Sequence, residues 1–173
     1  MASARDKTVL VVDDEPNVRK YLQTILEDAE FNVLTAADGE EALAIIREQR
    51  PDFISLDLIM PRKSGHKVLF ELKRDPDLSK IPVLLVTAHA QTELGQGDLQ
   101  DLLDQRVMSG PGTYLEKPVD PLSYVRCIQR ALGLDETPGV GERIGLKQEL
   151  EDRMQNASPD ALRQALEFLK SRK

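Results

Sequence analysis

The nine residues FISLDLIMP, 53–61, set one carboxylate in an otherwise apolar run. Phe53, Ile54, Leu56, Leu58 and Ile59 are buried-strand material, whereas Asp57 is costly to bury unless a partner offsets its desolvation. A run that is apolar at successive positions, rather than alternating, suits a strand covered on both faces, as in a parallel α/β sheet. Similar short runs occupy 8–12, 32–36, 52–56 and 83–86, with a weaker one at 113–115. Between them Val18, Leu22, Ile25 and Leu26 recur at helical spacing, as do Ala42, Leu43, Ile45 and Ile46, and then Val68, Leu69 and Leu72. Asp120-Pro121 opens a last helix of this region and Gly133 closes it. The pattern predicts an α/β architecture of five strands and five helices, an open parallel sheet with helices on both faces.

Size and charge narrow the function. The 173 residues suffice for one well-buried domain and an appendage. A net charge of −7 argues against a protein whose main task is holding nucleic-acid phosphates. No apolar run approaches the ~20 residues of a membrane span. The start, MASARDKTVLVVDDE, has no secretory apolar region. The single cysteine, Cys127, allows no internal disulfide, which together with the start leads us to expect a cytoplasmic protein.

In open α/β sheets ligands gather outside the carboxyl ends of the strands. Asp13 and Asp14 end the first strand, Asp57 the third and Thr87 the fourth, and Lys117 follows the fifth. Converging carboxylates repel each other and raise their pKa values unless a cation joins them. Mg²⁺ (or Mn²⁺), a hard ion preferring oxygen, fits Asp14 and Asp57 with help from Asp13 and a backbone carbonyl. A carboxylate can also attack phosphorus to give an acyl phosphate. Lys117 would then counter its charge, and the Thr87 hydroxyl would donate to a phosphoryl oxygen. Asp57 is expected where the buried strand emerges, not within the core.

The segments VLVVDDEP (9–16), SLDLIMP (55–61) with the later Gly65, LLVTA (84–88) and YLEKP (114–118) together resemble the receiver domain of two-component response regulators. The resemblance covers residues 6–134 and implies a flavodoxin-like (βα)5 doubly wound parallel sheet. It implies phosphorylation of Asp57 by a sensor histidine kinase or a histidine phosphotransfer protein. Asp13 and Asp14 match the family's acidic pair, Asp14 and Asp57 its direct metal ligands, and the backbone carbonyl of Ile59 its third. Thr87 and Ala88 match the phosphate-binding switch segment, Lys117 the family lysine, Tyr114 the switch aromatic, and Pro118 a residue often preceded by a cis peptide bond. Two features depart from the pattern. Thr87 and Lys117 lie about eight residues further apart than expected, an insertion a surface loop absorbs at small entropic cost. Ile59 and His89 stand at positions expected to tune autodephosphorylation, with Ile59 restricting water and slowing loss of the phosphoryl group.

Residues 135–145 read as a Pro- and Gly-containing linker and 146–173 as a short helical C-terminal extension. Leu146, Leu150 and Met154 form one stripe; Ser158-Pro159 starts a second helix with Leu162, Leu166 and Leu169 on one face. Eight acids and seven bases in 135–173 leave it nearly neutral, so no DNA-binding output domain and no direct nucleic-acid contact are expected. The extension reads either as a hairpin packed on its own receiver or as a docking or dimerisation element. The leading expectation is a phosphoacceptor switch acting on an unidentified downstream protein, possible homodimerisation included, and not an enzyme. The alternatives are an aspartyl-phosphate-forming hydrolase and a receiver-like module that binds partners without phosphorylation. Against the hydrolase, the position two residues after Asp57 is Ile59, not a second acid.

Overall fold

The computed structural model describes residues 3–88, 114–136 and 138–172. Five strands, β1 (Thr8–Val12), β2 (Asn32–Ala36), β3 (Phe53–Leu56), β4 (Val83–Thr87) and β5 (Tyr114–Glu116), form one parallel sheet in the order β2-β1-β3-β4-β5. The helices among the described residues are α1 (Pro16–Asp28), α2 (Gly39–Gln49), α3 (Ser64–Arg74), α4 (Pro121–Ala131), α5 (Val140–Gln155) and α6 (Pro159–Lys170). The expected fourth helix of the five lies outside the described residues, as does the whole of 89–113. The flavodoxin-like doubly wound sheet is the observed architecture.

Every residue of β3 and β4 is buried, and four of the five in β1, as strands between two helical layers must be. Edge strands β2 and β5 are only partly buried. Leu10, Ile54, Leu56 and Leu85 form a core with Leu43, Ile46, Leu69 and Leu72 from α2 and α3. Helix starts are built from short polar side chains: Asp38 caps α2 by accepting from the N–H groups of Glu40 and Glu41, and Asp120 caps α4 by accepting from Ser123 N–H.

One close approach ties the core to the strand ends. A Cβ on Gly65, at the start of α3, would lie 2.4 Å from the carbonyl oxygen of Asp57 and 2.7 Å from Cα of Leu58. Only glycine lets this helix press directly on the chain leaving β3. Gly39 does the same for α2 against Ser64, whose carbonyl oxygen would be 2.4 Å from an added Cβ. The loop carrying Asp57 is thus held from beneath by the start of α3, against which the start of α2 packs in turn.

The chain divides into two compact units, 1–137 and 138–173. The division falls inside the expected linker, and α5 begins at Val140, six residues before the expected Leu146. Leu146, Leu150 and Met154 marked only the exposed side of that helix, whereas Val140 and Ile144, its buried residues, lie on another side. Gly139, with φ 80°, supplies the left-handed residue from which the helix starts.

Candidate functional site

Strand register brings the candidate residues to one edge. Val12 of β1 is in register with Leu56 of β3, so Asp13 and Asp57 leave adjacent strands side by side. The Asp57 N–H donates to Val12 O at 2.9 Å, and the Lys117 N–H donates to Thr87 O at 2.9 Å, carrying the ladders one residue beyond the strands. Carboxylate oxygens of Asp13, Asp14 and Asp57 all lie within 4.8 Å of one another.

Lys117 bridges the acids. Its Nζ lies 2.9 Å from Asp13 Oδ2, 3.2 Å from Asp57 Oδ2 and 3.5 Å from Glu15 Oε1. The other Asp57 oxygen, Oδ1, accepts from the Ile59 N–H at 2.9 Å. Asp13 Oδ1 accepts from Glu15 N–H, and Arg19 donates to the Asp13 carbonyl oxygen at 2.7 Å. Glu15 and Arg19 were not legible as site neighbours; both are first-turn or pre-helix residues with no spacing that marks them.

Asp57 is not at an exposed strand end. Its side chain is 4% exposed and that of Asp13 1%, because the loop is pinned by Gly65 and overlaid by Lys117, itself 14% exposed. Burial pushes the Asp57 carboxyl up to about 6; Lys117 pulls it down, Asp13 pushes it further up, and the Ile59 N–H pulls it down. Burial works against the charge on Lys117, but Asp13 and Asp57 outweigh it and hold the ammonium above its usual range. The cluster therefore carries surplus negative charge that one lysine does not neutralise.

That surplus fits a hard divalent cation: the donors are all oxygens, three carboxylates converge, and Asp14 is the least buried of the three. At the neighbouring strand end Thr87 is fully buried, and its Oγ1 has no hydrogen-bond partner among the described residues. A buried hydroxyl left unpaired costs about 1–3 kcal/mol, which a phosphoryl oxygen arriving at the strand edge would relieve. A groove of about 350 Å³ opens from Asp14 between α2 and the residues following β3, lined by Asp38, Glu40, Met60, Arg62 and Lys67.

The remaining candidates are placed as follows. Ala88 is exposed directly after β4. Tyr114 opens β5 in register with Leu85 and packs, partly buried, against the core. The Lys117–Pro118 peptide is cis. The Ile59 side chain is 38% exposed beside the acids while its N–H is taken by Asp57. His89 lies outside the described residues.

Residues 9–128 match the family model of the response regulator receiver domain. Among curated proteins, the chain is 36% identical over 132 residues to "Probable transcriptional regulator ycf27" of Cyanophora paradoxa, covering 76% of this chain and 51% of that protein. It is 32% identical over 130 residues to an uncharacterized 14.6 kDa protein of Leptolyngbya boryana, covering 75% of this chain and 93% of that one. The chain spans about half the length of most of the curated relatives it matches. Among solved structures, the chemotaxis response regulator CheY4 of Vibrio cholerae superposes with a TM-score of 0.60 at 30% identity, covering 72% of this chain and 97% of that one. A CheY-like receiver domain protein of Methanospirillum hungatei gives a TM-score of 0.61 at 26% identity, covering 73% and 94%.

Proposed function

This chain belongs to the response regulator receiver domain family, a family of signalling proteins, and from that premise we propose that it is a phosphoacceptor switch with Asp57 as acceptor. The observation that carries the reading is the joint presence of three converging carboxylates, a bridging Lys117 and the buried hydroxyl of Thr87, which has no partner among the described residues. Each alone is common at strand ends. Together they offer a nucleophile, a cation site and two groups that receive a phosphoryl oxygen.

Asp14, Asp57 and Asp13, with the backbone carbonyl of Ile59, would hold Mg²⁺ or Mn²⁺, which when bound neutralises charge on the transferring group. An Asp57 carboxylate oxygen attacks phosphorus of a phosphohistidine on a sensor kinase or phosphotransfer protein. A P–O bond forms, the P–N bond breaks, and its electron pair stays with the histidine nitrogen. Lys117 exchanges part of its contact with Asp57 for one with the new phosphoryl group, and Thr87 donates its hydroxyl proton to it. Movement at Thr87 and Ala88 then changes the packing of Tyr114, which shifts a surface read by a downstream protein. We place this exchange in the cytoplasm; no helix among the described residues is long and apolar enough to cross a membrane. The longer relatives are named as transcriptional regulators; residues 135–173 themselves carry near-neutral charge, so we read this segment as one that contacts protein rather than nucleic acid.

Incubation with Mg²⁺ and a small-molecule phosphodonor, followed by intact-mass analysis, tests the reading. We expect one phosphoryl adduct that requires the divalent ion and is absent from Asp57→Asn. Continuous turnover of donor without a lasting adduct would indicate the hydrolase instead, and no adduct at all a module that binds without phosphorylation.

A further inference from the structure

The last two helices carry apolar surface that is exposed among the described residues. In α6 the residues Ala161, Leu162, Ala165, Leu166, Phe168 and Leu169 share one side, with Asp160, Arg163 and Glu167 opposite and Lys170 at the edge, one turn beyond Leu166. Yet no residue of α6 is buried, and Leu166, Phe168 and Leu169 are 56%, 57% and 65% exposed. Helix α5 adds a second stripe, with Leu146, Leu150 and Met154 at 60%, 55% and 52%. A helix this short is marginal in water by itself and owes its stability to burial of its apolar face. Two unpaired stripes in one small unit therefore call for cover.

We propose that the cover is a second copy of this chain, with α5 of each protomer packed along α6 of the other about a two-fold axis. Area and charge both select this occupant. Six side chains, each more than half exposed, offer roughly 600 Å² per protomer, and small residues and long side-chain stems at the rim extend this toward the ~800 Å² per partner of a stable interface. Residues 140–155 hold four acids and three bases; Glu149, Glu151 and Asp152 gather in the last turns of α5 with one base, Arg153, which pairs with Glu149 at 2.7 Å and leaves that end net negative. Residues 156–173 hold two acids and four bases, with Lys170 and Arg172 at the end of α6. Laid parallel, the acidic end of α5 meets the basic end of the other protomer's α6, and the two-fold axis makes the match twice. An anionic membrane surface would favour α6 but repel the net negative α5, so a lipid occupant leaves the second stripe uncovered. Phosphorylation of Asp57 has no part in this pairing.

Sedimentation equilibrium of the full chain, from about 1 to about 100 μM, tests it. We expect twice the monomer mass in the upper range, equally for Asp57→Asn, which separates this outcome from any failure of the phosphoacceptor reading. Leu166→Glu with Leu169→Glu should raise the dissociation constant at least about tenfold. Because that variant could simply unfold α6, a charge exchange supplies the second arm. Glu149→Lys with Glu151→Lys, the two acids flanking the α5 stripe, should weaken the dimer about tenfold, and adding Lys170→Glu with Arg172→Glu should restore it. A wild-type monomer throughout the range overturns the proposal. So does a dimer indifferent to the leucine changes, a charge exchange that restores nothing, or a monomer that instead binds vesicles of phosphatidylglycerol and phosphatidylcholine.

Discussion

Replacing Asp57 by Asn should stabilise the divalent-free protein at neutral pH. Asn keeps the shape and one acceptor oxygen but removes a charge that is 4% exposed and faces Asp13 as well as Lys117, with Asp14 and Glu15 close by. The unfolded carboxyl titrates near 3.8 and the folded one near about 6. Between those values the folded state holds a proton that the unfolded state has lost, so stability falls as pH rises through this window and is level above it. The gap between 3.8 and about 6 corresponds to about 3 kcal/mol, an upper figure because Lys117 relaxes toward Asp13 in the variant. Urea unfolding of both proteins in EDTA, at pH 4 and at pH 7.5, isolates this group, since other titrations largely cancel in the difference. Relative to wild type, the variant should gain roughly 2–3 kcal/mol between the two pH values. Mg²⁺ at about ten times its dissociation constant should then return about 1.4 kcal/mol to the wild type and little to the variant. A wild-type-to-variant difference that is flat with pH, or a variant that is less stable at pH 7.5, would refute the idea that burial and Asp13 dominate the environment of Asp57.

Gly65→Ala places a methyl group against backbone atoms that have no freedom to yield, so it should cost about 1–3 kcal/mol in urea unfolding and slow phosphodonor labelling of Asp57; unchanged labelling would show that α3 does not fix the acceptor loop. Asp120→Ala removes the cap of α4 and should lower stability by about 1 kcal/mol, checked by thermal unfolding, with labelling intact. Ile59→Asn replaces a half-exposed apolar group beside the acids with one that can hold water, and should shorten the phosphoprotein's lifetime about tenfold by timed intact-mass analysis. Equal or longer lifetime would remove Ile59 as a water barrier.

Strand positions were legible because a doubly covered sheet demands unbroken apolar runs, and 8–12 and 32–36 coincide with β1 and β2 to the residue. Asp13, Asp57, Thr87 and Lys117 were legible as candidates for a related reason, since residues at or just past the carboxyl ends of parallel strands lie along one edge of the sheet. Two things were hidden. The start of α5 was missed because its buried pair, Val140 and Ile144, is out of phase with the leucine stripe that the eye follows. More consequentially, the run FISLDLIMP suggested that Asp57 escapes burial by standing at a strand end, and it does not. The chain continues under a helix that only Gly65 allows so close, and Lys117 lies across the top. The sequence shows where a strand stops but not what covers its end, because that cover comes from Gly65 and Lys117, eight and sixty residues away. Burial is what raises the Asp57 carboxyl, and a raised carboxyl among other acids is what makes a cation at this edge favourable. The same close packing that destabilises the resting charge would, on the phosphoacceptor reading, favour a metal and a phosphoryl group there.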